Sequence, residues 1–121
     1  MKLSQMTNDQ ACEAMIRMAE PVSRMMEDES IVDLLKQVEQ SKNVPMVITV
    51  GKLLPKFVAY AMKSHRADLY EIVGALAEET TENVGKMTLM KTIKILRESV
   101  DKDFIDFFKS SGNVTEIPGE S

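Results

Sequence analysis

Tryptophan is absent from this 121-residue chain, and cysteine and histidine occur once each, as Cys12 and His65. A lone cysteine forms no disulfide within the chain. One histidine and one cysteine cannot build a His/Cys metal site of the usual structural kind inside one subunit. A Ser-His-Asp or Cys-His arrangement would have to use His65. No acid occurs in sequence between Lys42 and Ala67, so His65 reads as a surface residue at a helix cap. The five glycines are scattered, with nothing like G-x-G-x-x-G or a P-loop. The carboxylates of Glu27-Asp28-Glu29 and Glu78-Glu79 read as solvated helix ends. No catalytic residue, cofactor or metal ligand is expected, and the chain is not expected to be an enzyme.

Long apolar runs are missing as well. The most apolar stretch, PMVITVGKLLPKFVAYAM, contains two lysines, a glycine and two prolines, which makes a poor membrane span. The opening MKLSQMTNDQ has one lysine and no apolar segment of the signal-peptide kind. A soluble cytoplasmic protein follows, with Cys12 a small buried hydrophobe in a reducing compartment.

Methionine is in surplus, with ten residues. Its flexible thioether suits gap-filling in a core, the simpler use, or a surface that accepts varied partners. Charge is uneven along the chain. Residues 1–41 hold eight acids and four bases, residues 42–67 hold five bases and no acid, and residues 68–121 hold eleven acids and six bases. A basic middle between acidic ends suggests helices paired internally or a partner of opposite sign.

The periodicity is helical nearly throughout, so the fold class is all-α: one domain of about six or seven helices over residues 1–109, followed by a flexible acidic tail at 110–121. Thr7 and Gln10 form a capping box for a helix to about Glu20, with Ala11, Met15, Met18 and Val22 on one face. Pro21 should break or kink that helix, letting a short segment at 22–27 change direction. Ser30 and Asp33 read as a second capping box, followed by a helix with Ile31, Leu34, Leu35 and Val38 on one face. Pro45 is placed to open the central helix at its first position. That helix should kink near Pro55 and bury Val47, Val50, Leu54, Phe57, Val58 and Ala61. The β-branched run at 47–50 could be taken for a strand, but its flanks are helical. A helix at 68–79 points Leu69, Ile72, Val73 and Leu76 inward. Thr80 or Thr81 caps a short turn that Gly85 ends. Thr88 caps a helix with Leu89, Ile93, Leu96 and Val100 inward, and the DFIDFF helix closes the domain.

Two patterns are candidates for binding a partner. Lys52, Lys56 and Lys63 align along one side of the central helix, solvated or salt-bridged to acidic neighbours. Phe104, Phe107 and Phe108 either staple the last helix to the core or hold an anchor outward. Both hold if Phe104 and Phe108 point inward and Phe107 outward. AEETTENVGKMT has the cadence of a helix-turn-helix, but Glu78, Glu79 and Glu82 against Lys86 disfavour contact with phosphates. Nucleic acid is therefore a disfavoured partner.

The segment DLYEIVGALAEETTENVGKMTLMKTIKILRESVDKDFIDFF resembles the C-terminal half of tail assembly chaperones from long-tailed bacteriophages and prophages. The shared pattern is an (L/F)Y-x-I-(L/V)-(A/G)-x-L helix at 68–76 and a T-x-E-x-V turn at 80–84. An amphipathic helix follows, then an acidic stretch ending in Phe107-Phe108. GKLLPKFV is similar too, so the resemblance covers about 45–108. It implies a chaperone that coats the helical tape measure protein, keeps it soluble and recruits tail tube protein, with self-association around the client. It also implies residence in the host bacterial cytoplasm and absence from the mature virion. Many such proteins are made in a second, longer form by a ribosomal frameshift, and the tail would be the join. A groove lined by methionine-rich helices would suit many client registers. The alternative is a small all-α regulatory module from a mobile-element operon, binding DNA or protein.

Overall fold

The computed structural model describes residues 2–41 and 43–112, and these are helical without a strand. A 3-10 turn at Leu3–Gln5 precedes seven α-helices: α1 Asn8–Met26, α2 Glu29–Gln40, α3 Met46–Ser64, α4 Arg66–Ala77, α5 Thr81–Gly85, α6 Leu89–Ser99 and α7 Lys102–Gly112. The all-α expectation holds. Ser110, expected at the start of the tail, belongs to α7; residues 113–121 lie outside the described residues.

α4 is the centre of the molecule. Leu69, Ile72, Val73, Gly74, Ala75 and Leu76 are all buried in it, and it packs against α1, α3, α5 and α6. Fully burying each of its larger side chains is worth about 1.5–3 kcal/mol. α1 contributes Ala14, Met18, Val22 and Met25 to the same core, α3 contributes Val50, Leu54, Val58 and Ala61, and α7 closes it with Phe104 and Phe108. Met18 and Met25 fill the core, whereas Met15 and Met90 are exposed.

Three threonine caps lie where the sequence puts them. Thr7 Oγ1 accepts from Gln10 N while Gln10 Oε1 accepts from Thr7 N, so the box is complete. Thr80 and Thr88 accept from Asn83 N and Lys91 N, each at 3.1 Å.

Several expectations are corrected. Pro21 does not end a helix: α1 runs through it to Met26, and the ring is buried beside Met18, Val22 and Met25. Packing of that apolar face outweighs the backbone hydrogen bond that proline removes. Pro55, where a kink is expected, lies inside α3, which continues past it to Ser64. It is on the solvent side, where water can meet the carbonyl freed at the exposed Gly51. Pro45 is the N-cap of α3 rather than its first residue. α2 is capped by Asp28, whose carboxylate accepts from Ser30 N at 2.9 Å, so Ser30 is not the cap. Val47 and Leu89, expected inward, are 72% and 52% exposed. Each lies in the first turn of its helix, and Val47 only borders an open groove with Lys2, Arg97 and Val100. Cys12 is exposed.

Candidate functional site

Among the described residues, an apolar recess of about 60 Å³ lies between α2, α3, α6 and α7, floored by Ile72 of α4. Its walls are Ile31, Leu34, Leu35 and Val38 from α2 and Val50, Leu53, Leu54 and Phe57 from α3. Leu96 of α6, Val100 just past its end and Phe104, Ile105 and Phe108 of α7 complete it, so every lining side chain is apolar. The helical period brings them together: α2 turns its 31/34/35/38 face to the face of α3 that carries 50, 53, 54 and 57. Leu34, Leu35, Val38, Leu53 and Phe57 are only half-buried and form the accessible part. Beside Val38 and Phe108, Lys109 Nζ of α7 reaches Glu39 Oε1 of α2 at 3.6 Å. None of the lining residues is a methionine, so the expected methionine-rich groove is not what forms here.

The expected phenylalanines divide. Phe104 and Phe108 are buried, with ring centroids 5.0 Å apart, and both line the recess. Phe107 is half-buried against the core and outside the lining. Asp101 fixes the start of α7, its Oδ1 accepting from Phe104 N at 2.9 Å. Lys52, Lys56 and Lys63 are exposed along α3, and none makes an ion pair among the described residues. The solvated form of that expectation therefore applies. They lie on the outer side of α3, away from the phenylalanines.

A polar cluster was not foreseen from the sequence. His65, expected at the surface away from any acid, is half-buried between two carboxylates. Its Nε2 is 2.7 Å from Asp28 Oδ2 and its Nδ1 is 3.7 Å from Asp68 Oδ2. Tyr60 Oη donates to the same Asp28 oxygen at 2.5 Å. Arg24 Nε and Nη2 donate to Asp68 Oδ1 at 2.9 and 2.8 Å. Asp28 is thus no solvated helix end; it caps α2 and ties it to the α3–α4 joint. The hydrogen bonds from Tyr60 and His65 hold its carboxyl down at about 2. Arg24 is raised by its hydrogen bond and attraction to Asp68.

A second tie joins α1 to the end of α4. Arg17 Nη1 donates to the Glu79 carbonyl at 2.7 Å and Nε to Glu71 Oε2 at 3.3 Å. The guanidinium lies over Gly74, where an added Cβ would collide with it and come within 2.6 Å of the Glu79 carbonyl oxygen. Nothing in the spacing of the sequence joins Arg17 to Glu79. Glycine inside an otherwise apolar helix was the one available signal of a close approach.

Among the described residues, no helix is long and apolar enough to cross a membrane, and no group of histidine, cysteine or acidic side chains has the arrangement to hold a metal ion. No protein-family model, curated protein or solved structure matches the chain.

Proposed function

We propose that this protein is a tail assembly chaperone of a long-tailed phage or prophage, which keeps the tape measure protein soluble and helps recruit tail tube subunits to it in the host cytoplasm. The observation that carries this reading is the recess between α2, α3, α6 and α7, whose lining is apolar throughout. An amphipathic client helix needs a surface that takes one or two apolar side chains per turn and makes few directional demands. The half-buried rim of Leu34, Leu35, Val38, Leu53 and Phe57 offers that contact. The resemblance to tail assembly chaperones, over 45–108, supplies a second support. That stretch contributes every lining residue except the four from α2.

A regulator that reads DNA through the 77–88 segment has less behind it. α5 is only five residues long, and Glu82 on it engages Lys86 at 3.3 Å.

The test is co-expression with a helical fragment of a tape measure protein. The fragment should be soluble with the wild-type chain and precipitate alone. Leu34→Asp and Leu53→Asp, at the half-exposed rim, should keep the helical circular dichroism signal and lose most of the rescue. Rescue that survives both substitutions, or no rescue by the wild type, overturns the reading. Salt-sensitive retention on DNA would replace it with the regulator.

A further inference from the structure

The two longest helices carry outward faces of opposite charge. On α1, Asp9, Glu13 and Glu20 are exposed, as is Glu27 at its C-cap, and Ile16 stands among them at 68% exposure. On α3, Lys52, Lys56 and Lys63 are exposed in a stripe with Ile48, Pro55 and Ala59. α3 contains no acid, and the two bases of α1, Arg17 and Arg24, are engaged by α4. Among the described residues, these charges are largely unmatched by the rest of the fold. Asp9, Glu13, Glu27 and the three lysines make no ion pair among the described residues, and Glu20 has only a 3.6 Å contact with its own helix at Arg24. Asp9 and Glu13 also border a shallow depression with Glu71, Glu78 and Glu79, which extends the negative side.

The spacing of the two sets is the same. Asp9, Glu13 and Glu20 are separated by four and seven residues, and so are Lys52, Lys56 and Lys63. Steps of four and seven keep each set on one side of its helix. Two such helices laid side by side and parallel bring all three pairs level, with Ile16 opposite Ala59 and Cys12 opposite Pro55.

We propose that the α1 face of one copy of this protein docks in parallel on the α3 face of a second copy, pairing Asp9 with Lys52, Glu13 with Lys56 and Glu20 with Lys63. Both helices pack on α4 but make no substantial contact with each other, so the two faces belong to different parts of the surface. Each docked pair leaves one acidic and one basic face free, and the contact is head-to-tail, so the assembly grows. A 19-residue helix is about 28 Å long. A single seam of that length covers less than the roughly 800 Å² per partner of a stable complex. Each contact is therefore weak, sensitive to salt, and strengthened by repetition. The seam is independent of the client proposed above.

Light scattering on the full chain tests it. The mass should rise with protein concentration past that of a dimer at about 50 mM salt and return to monomer at about 500 mM, where screening reaches only a few ångströms. The double variants Glu13→Lys/Glu20→Lys and Lys56→Glu/Lys63→Glu alter only exposed side chains. Each should fold, as read by circular dichroism, and stay monomeric alone. An equimolar mixture restores opposite charges at every seam and should associate again. A wild type that is monomeric at all concentrations in low salt overturns the proposal, as does association unaffected by either reversal or a mixture that stays monomeric. A monomer that binds DNA through the lysines would assign that face to nucleic acid instead and overturn it too.

Discussion

Glu78 ends α4 with a left-handed backbone, φ 56° and ψ 44°. Glu79 N then reaches back to the Gly74 carbonyl at 2.8 Å, the six-to-one bond of a Schellman ending. A side chain in that conformation costs about 1–2 kcal/mol, which glycine avoids at some cost in unfolded-chain entropy. Glu78→Gly should therefore stabilise the protein by about 0.5–1 kcal/mol, read as a raised urea midpoint with an unchanged slope. Asp28 gives a prediction in pH. Its carboxyl is lowered from the ordinary 3.8 to about 2, so the stability it contributes is complete above pH 4 and lost as pH falls toward 2. Unfolding temperature should drop across that window. Asp28→Asn should lower it at neutral pH and flatten the acid limb, whereas an unchanged limb would mean that the Tyr60 and His65 contacts do not form in solution.

At the scale of elements, what could be read from the sequence and what could not divide along a physical line. The 3.6-residue period and the threonine caps depend on neighbours within one or two turns, and α4, α5 and the start of α1 lie where those signals put them. Half of the recess was legible in the same way, as the apolar faces of α2 and α3. That these faces leave a gap instead of closing on each other was not, because a gap is set by the distance between helices. Val47 and Leu89 lie in first turns, where the period still runs but the side chains stay mostly in solvent. Pro21 does not break α1, because its cost is local and its compensation, the buried contacts of α1, is tertiary. The His65 cluster joins residues of α1, α3 and α4 to the N-cap of α2, and no spacing rule links them. α7 offers a comparison within one element. Phe104→Ala and Phe108→Ala remove buried rings and should each cost about 3–5 kcal/mol. Phe107→Ala removes a half-buried ring and should cost on the order of 1 kcal/mol. Denaturant midpoints for the three variants rank them. Equal losses would put Phe107 in the core and leave it no share in binding.

The whole molecule presents two surfaces with different physics. The recess between α2, α3, α6 and α7 is lined only by apolar side chains, while the outer faces of α1 and α3 carry most of their unpaired charge in the open. Salt separates the two. Burial of apolar surface is insensitive to screening and is strengthened by excluded salts such as sulfate. Contact between exposed charges weakens as the Debye length falls from about 10 Å at 0.1 M to about 3 Å at 1 M. If the proposed function holds, a soluble tape measure fragment long enough to seat several copies should give, at low salt, large complexes in which copies of the protein bind both the fragment and one another. Raising the salt should remove the cooperativity between copies and leave each copy on the client. Light scattering would then fall in steps while co-purification persists. The Lys56→Glu/Lys63→Glu variant should show that high-salt behaviour already at low salt, with client rescue intact. Leu53→Asp should do the reverse, keeping self-association and losing the client. If both functions fail together in either variant, the two surfaces are one, and the recess and the charged seam cannot be separate sites.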